Sequence, residues 1–181
     1  MKINKYVLND DVQNNCTCSE LEERSQSDRG VAYAFDSYGN VIGTRQSESA
    51  YDEIYIGGFG SNCICSPLNC NLTISSYGSN SHEITGGGEE VYKFLANHTT
   101  VEWAGSYNGS GSENNWTINT SHSSNGVEAE IVPGDKTHVH SHRGDSATPS
   151  NTDLEAKDNF LDAGYENFKI YNPSNGQYTS Y

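Results

Sequence analysis

Three histidines at alternate positions, His138, His140 and His142, precede Asp153 in the segment THVHSHRGDSATPSNTD, residues 137–153, of a chain with only six histidines in 181 residues. In an extended strand alternate side chains share a face, so the three imidazoles point one way and Val139 and Ser141 the other. Two neighbouring imidazoles on one face can bind a single metal ion. Neutral imidazole nitrogens suit zinc, and a carboxylate can supply a third ligand while a fourth position stays open to water. Asp153 falls in the first turn of a predicted helix, where the loop from Gly144 to Pro149 would fold it back over the histidines. Each residue also has a plainer reading, with Ser150 and Asp153 forming a capping box and any one histidine lying solvated on a strand. The joint occurrence of same-face histidines, a hydroxyl and a carboxylate in one short segment favours the metal.

Hydrolysis at such a centre needs a group that takes a proton from water. Glu102, in VEWAGS, is the candidate. It interrupts an otherwise apolar run, where a carboxylate is costly without a polar partner. Alternation with Val101 and Trp103 equally permits a residue that faces outward.

The elements that must position these groups follow from pattern. In EEVYKFLANH, Val91, Phe94 and Leu95 recur at helical spacing and two glutamates occupy the first turn, which predicts a helix over 89–97. TTVEWAGSYNG, NNWTINTSHSS, VEAEIVPG and KTHVHSH read as strands. SNTDLEAKDNFLDAG reads as a second helix with Leu154, Leu161 and the set Ala156, Phe160 and Ala163 turned inward and Gly164 as its stop. NFKIYNPSNGQYTSY closes as a strand and hairpin around Asn175-Gly176. Upstream, residues 1–30 read as a polar tail or a short helix. VAYAFDSYGNVIGT forms a hairpin around Gly39-Asn40, and YDEIYIGGFG alternates like a strand. The Gly/Ser-rich stretch from Ser75 to Gly88 reads as a linker. It divides a tail and β-rich region, residues 1–85, from a second domain, residues 86–181.

Composition narrows the function classes. A formal charge of −14 with only ten Lys and Arg argues against nucleic acid as a partner. No apolar run is long enough to span a membrane, and the first residues lack the apolar core of a signal peptide. The five cysteines, Cys16, Cys18, Cys63, Cys65 and Cys70, are an odd number with C-x-C spacings. They favour free thiols or local disulfides over a second metal site.

His140-Ser141-His142, seven residues, Ser150, two residues and Asp153 resembles the H-x-H-x7-S-x-x-D signature of the JAMM (MPN/Mov34-like, JAB-like) metalloproteases. Glu102 and Gly105 are similar to that family's upstream E-x-x-G, after a helix that EEVYKFLANH would supply. The resemblance covers about residues 86–181. It implies an α+β fold, an α/β sandwich whose mixed sheet of the JAMM and cytidine-deaminase-like kind is flanked by helices. It implies one Zn2+ per chain held by His140, His142 and Asp153, with Glu102 as general base and acid and Ser150 on the attacking water or the oxyanion. The activity implied is hydrolysis of a peptide or isopeptide amide, with a protein or peptide substrate and ubiquitin-like proteins among the candidates. His138 falls outside the signature and reads as a neighbour of the site or a bystander.

Two departures stand out. Arg143 occupies a position where many members have proline, and the insertions that grip ubiquitin are not recognisable. YAFDSYGNVIG resembles a YD-type repeat of the RHS class, which often precedes toxin domains in bacterial polymorphic toxins. That resemblance implies a secreted or delivered effector carried in a larger protein, with an immunity protein as partner; otherwise the chain would be cytoplasmic. RadC-like proteins share the signature, so a catalytically inactive binding module on the same fold is the alternative. An adhesion or structural domain, prompted by Asn/Gly/Ser richness and the RGD tripeptide, is the third reading.

Overall fold

The computed structural model describes residues 31–46, 53–57, 64–67, 73–76, 81–85, 88–109, 115–143 and 147–181. The polar tail, four of the five cysteines, and Gly144 and Asp145 of the RGD tripeptide lie outside these residues; Cys65 is described only as part of a strand backbone.

Among the described residues, two sheets and two helices make an α+β fold. The first sheet has the order β2-β1-β3-β4, from Val41–Gln46, Val31–Phe35, Glu53–Ile56 and Ile64–Pro67. The β1–β2 hairpin turns where expected. Asp36 closes it, its carboxylate accepting the Tyr38 and Asn40 N–H groups at 2.8 and 2.9 Å, and Gly39 takes φ 82°. YDEIYIGGFG suggested alternation, yet all four residues of β3 are buried, as suits a strand paired on both sides.

The second sheet has seven strands in the order β11-β10-β9-β7-β8-β6-β5. They are β5 Thr73–Ser76, β6 Ser81–Thr85, β7 Ala104–Tyr107, β8 Trp116–Asn119, β9 Thr137–Ser141, β10 Asn167–Asn172 and β11 Gln177–Ser180. Helix α1, Gly88–His98, confirms the first helix. Helix α2, Asn151–Asp162, joins β9 to β10, which pair in parallel as a βαβ unit.

Side-chain parity divides the sheet cleanly. Gly105, Tyr107, Trp116, Ile118, Val139 and Tyr171 lie on one face, where Tyr92 of α1 packs against Trp116 and Tyr171 at 5.6 and 5.8 Å between ring centroids. Burial of Trp103, Trp116, Tyr92 and Leu95 on this side supplies most of the core, each large apolar group stabilising by about 1.5–3 kcal/mol. His138, His140, Phe168 and Ile170 occupy the opposite face, toward α2.

Four further expectations are corrected. The stretch read as a Gly/Ser linker contains β6, paired to β5 and β8, so the seven-stranded sheet begins upstream of residue 86. Its polar lettering, SHEIT, hides a strand whose Ser81 and Ile84 are buried by its neighbours. VEAEIVPG is not a strand. Its backbone is satisfied by side chains instead: Glu128 N–H donates to Ser121 Oγ, Glu128 O accepts from Asn119 Nδ2, and Val132 N–H donates to Tyr165 Oη. In α2 only Phe160 of the expected inward set is buried, while Leu154 and Leu161 are nearly half exposed. The strand expected across 99–109 shortens to β7, with Glu102 just ahead of it.

The two sheets meet at the β1–β2 turn. Thr100 donates through both N–H and Oγ to Ser37 O, and a Cβ on Gly39 would come 2.6 Å from the Trp103 ring. Gly39→Ala therefore combines a left-handed L-residue with a core clash. We expect a loss of about 2 kcal/mol or more, read as a lower urea midpoint at unchanged slope.

Candidate metal centre

Strand β9 ends and α2 begins at the same edge of the sheet, and the predicted ligands sit on these two ends. The capping box forms as read. Ser150 is the N-cap, its Oγ accepting the Asp153 N–H at 3.2 Å, and its own N–H and hydroxyl donate to Asp153 Oδ2 at 2.7 and 2.8 Å. Both carboxylate oxygens also face the histidines of the strand. Asp153 Oδ1 lies 3.3 Å from His140 Nε2, Asp153 Oδ2 lies 3.2 Å from His142 Nε2, and the two Nε2 atoms are 3.0 Å apart. Capping and ligation are thus not alternatives for Asp153, because both fit one orientation.

This donor set fits a metal ion. Ligand bonds of about 2.0–2.1 Å in a tetrahedron imply ligand separations of about 3.3 Å, close to the three distances seen. Among the described residues, His140, His142 and Asp153 are the side chains whose ligand atoms converge in this way.

Electrostatics agree with the geometry. Burial alone would raise the Asp153 carboxyl, but the His140 hydrogen bond and charge, with the Ser150 bonds, outweigh it and hold the group well below the usual carboxylate range. His138 is pushed down to about 3 by burial and by the neighbouring His140, so its ring is neutral.

Glu102 reaches the site through sheet register. β7 and β9 pair antiparallel with Ala104 opposite His140 and Ser106 opposite His138. Continued past the end of β7, the same register sets Glu102 opposite His142, and directly opposed residues share a face. The extension is real backbone pairing: Ser141 N–H donates to Trp103 O at 2.8 Å, and Trp103 N–H donates to Ser141 Oγ at 2.9 Å. Ser141, the middle residue of the H-x-H, thereby ties the glutamate's strand to the histidines, a role its parity opposite to the histidines did not disclose. Glu102 is further held by its N–H donating to Ser123 O and its C=O accepting from Thr120 Oγ1, both at 2.8 Å. His122, at φ 54°, shapes that loop and places Nδ1 2.6 Å from Tyr38 O.

Glu102 is buried, not outward-facing. Burial raises its pKa above the ordinary value, opposed by His142 and by a hydrogen bond from the Arg143 backbone N–H. The departure from proline at Arg143 has a consequence here, since proline has no N–H to give. Gly105 keeps its place for packing: a Cβ there would sit 3.0 Å from the Trp116 ring and 3.2 Å from Val139.

The site opens on a cleft of about 670 Å³ lined by Glu102, the three histidines and Asp153, with Val127, Ile131, Phe160 and Tyr181 as apolar walls. Tyr181 packs edge-on to His140 at 5.9 Å. Nothing in its local sequence marked it.

Comparison with known proteins points the same way as the geometry. The sequence model of the family described as JAB-like toxin 1 matches residues 85–167. Residues 85–167 are thus similar to a JAB-like toxin domain. No curated protein and no solved structure matches it. The matched segment spans α1 through α2 and contains every candidate site residue. Among the described residues no helix is long and apolar enough to cross a membrane.

The buried neutral His138 has a pH consequence. Its folded pKa lies below the unfolded value of about 6.5, so the unfolded state binds the extra proton between about 6.5 and 3. Stability is full above that window and falls as pH drops through it, by on the order of a few kcal/mol. Urea midpoints of the metal-free protein should fall from pH 7 to pH 4, and less steeply in His138→Phe.

Proposed function

We propose that this toxin domain is a zinc-dependent peptidase or isopeptidase whose substrate is an amide bond in a protein or peptide. The observation that carries the reading is the convergence of His140 Nε2, His142 Nε2 and the Asp153 carboxylate at 3.0–3.3 Å with a buried glutamate on the same face of the sheet. Two imidazoles and one carboxylate are the protein share of a hydrolytic zinc centre that keeps one position open. Zinc bound there would supply Lewis acidity, polarising a carbonyl and making water acidic enough to react near neutral pH.

The chain's own groups account for the proton traffic. Glu102, raised in pKa by burial, takes a proton from the attacking water at its carboxylate and returns it to the departing amine nitrogen. The Arg143 N–H bonds that carboxylate, and Ser123 O and Thr120 Oγ1 fix the Glu102 backbone that carries it, which lowers the cost of orientation. Ser150 was expected on the water or the oxyanion. Its hydroxyl hydrogen is engaged by Asp153 Oδ2, so the contribution its geometry supports is orienting Asp153. The apolar walls of the cleft suit side chains flanking the scissile bond and limit the access of bulk water. A toxin of this class would act as a delivered effector, with an immunity protein as its partner.

Metal analysis of the purified chain should give about one zinc, and chelation should stop cleavage across a panel of ubiquitin-like and peptide amides. Glu102→Gln should lower turnover by at least about 10²-fold while keeping its zinc. Full activity in that variant would remove Glu102 from the chemistry, and zinc binding without cleavage of any panel member would favour the binding-module alternative.

A further inference from the structure

His138 lies beside the ligand set, and its surroundings are aromatic. Its ring stacks on Phe160 at 4.5 Å and 27° and lies 6.5 Å from Phe168. A phenylalanine would suit that niche. The imidazole instead carries a buried Nδ1 with no hydrogen-bond partner among the described residues, a defect that costs about 1–3 kcal/mol. What the imidazole offers in return is its other nitrogen. His138 Nε2 is 3.3 Å from His140 Nδ1, with the two rings stacked at 5.4 Å and 27°.

The direction of that hydrogen bond follows from the ligand geometry. His140 turns Nε2 toward His142 and Asp153. With a metal on Nε2, the neutral ring carries its proton on Nδ1, and the atom facing that proton is His138 Nε2. The alternative, in which His138 donates, puts the His140 proton on Nε2 and blocks the ligand atom. We propose that His138 is a positioning residue: by accepting the His140 Nδ1–H it fixes the tautomer and ring orientation in which His140 presents Nε2 to the metal. This rests on the reading of His140, His142 and Asp153 as a metal site. Groups that hold a ligating histidine in this way ordinarily use a carboxylate, a backbone carbonyl or water. A neutral imidazole does it here, within the same strand, because residues two apart share a face.

The test measures zinc affinity by competition with a chromophoric chelator, together with histidine tautomers by nitrogen-15 NMR of the zinc-loaded chain. His138→Phe should bind zinc about 10- to 100-fold more weakly with an unchanged circular dichroism spectrum. His138→Gln, whose amide oxygen can accept, should recover part of that loss. In the wild type, His138 should carry its proton on Nδ1. Equal zinc affinity in wild type and His138→Phe would overturn the proposal while leaving the metal site intact, and so would a His138 protonated on Nε2. That tautomer decides the matter even if both variants fail to fold. Absence of zinc binding by the wild type would instead overturn the underlying reading, and this inference with it.

Discussion

The backbone pairing of Trp103 with Ser141 is the contact on which the site depends. It extends the β7–β9 ladder past the end of β7 and so brings a glutamate and a histidine, distant in the chain, to opposed positions. One bond of this pair uses a side chain, since Ser141 Oγ accepts the Trp103 N–H. A slip of one residue would send Glu102 to the α1 face, because strand parity has a period of two. The Trp103 ring, buried against Phe35 and the Gly39 turn, resists such a slip. The core on one face therefore sets where Glu102 stands on the other.

The second constraint is the βαβ connection from β9 through α2 to β10. Parallel pairing of β9 with β10 requires the chain to cross over the sheet, and the crossover returns with the N-terminus of α2 at the end of β9. Asp153 sits there in the first helical turn, where the helix dipole favours its charge and Ser150 fixes its orientation. A carboxylate so fixed stays ionised beside two imidazoles, as a metal ligand requires.

Much of this was legible from local pattern. Helix α1 followed from Val91, Phe94 and Leu95, the first hairpin from Gly39-Asn40, and the α2 cap from Ser150 and Asp153, because each rests on interactions within a few residues. The failures share a cause. SHEIT reads as polar linker and is a paired strand, since its partners β5 and β8 decide its state and its own letters do not. VEAEIVPG reads as a strand and is a loop, since Ser121, Asn119 and Tyr165 satisfy its backbone. Leu154 and Leu161 read as core, yet α2 turns Phe160 to the sheet and leaves both leucines partly exposed. Strand state and helix facing are set by neighbours remote in sequence.

The sequence by itself placed the candidate ligands His140, His142 and Asp153 together with Ser150, because all four lie within one short segment whose strand parity and helix cap are local properties. Tertiary structure decided what surrounds that set. Whether Glu102 faced the histidines or the solvent depended on a register between strands far apart in the chain, which no local pattern encodes. The same holds for His138, whose niche is built by Phe160 and Phe168 from α2 and β10. Burial there is a property of three elements brought together, and burial raises Glu102 and keeps His138 neutral.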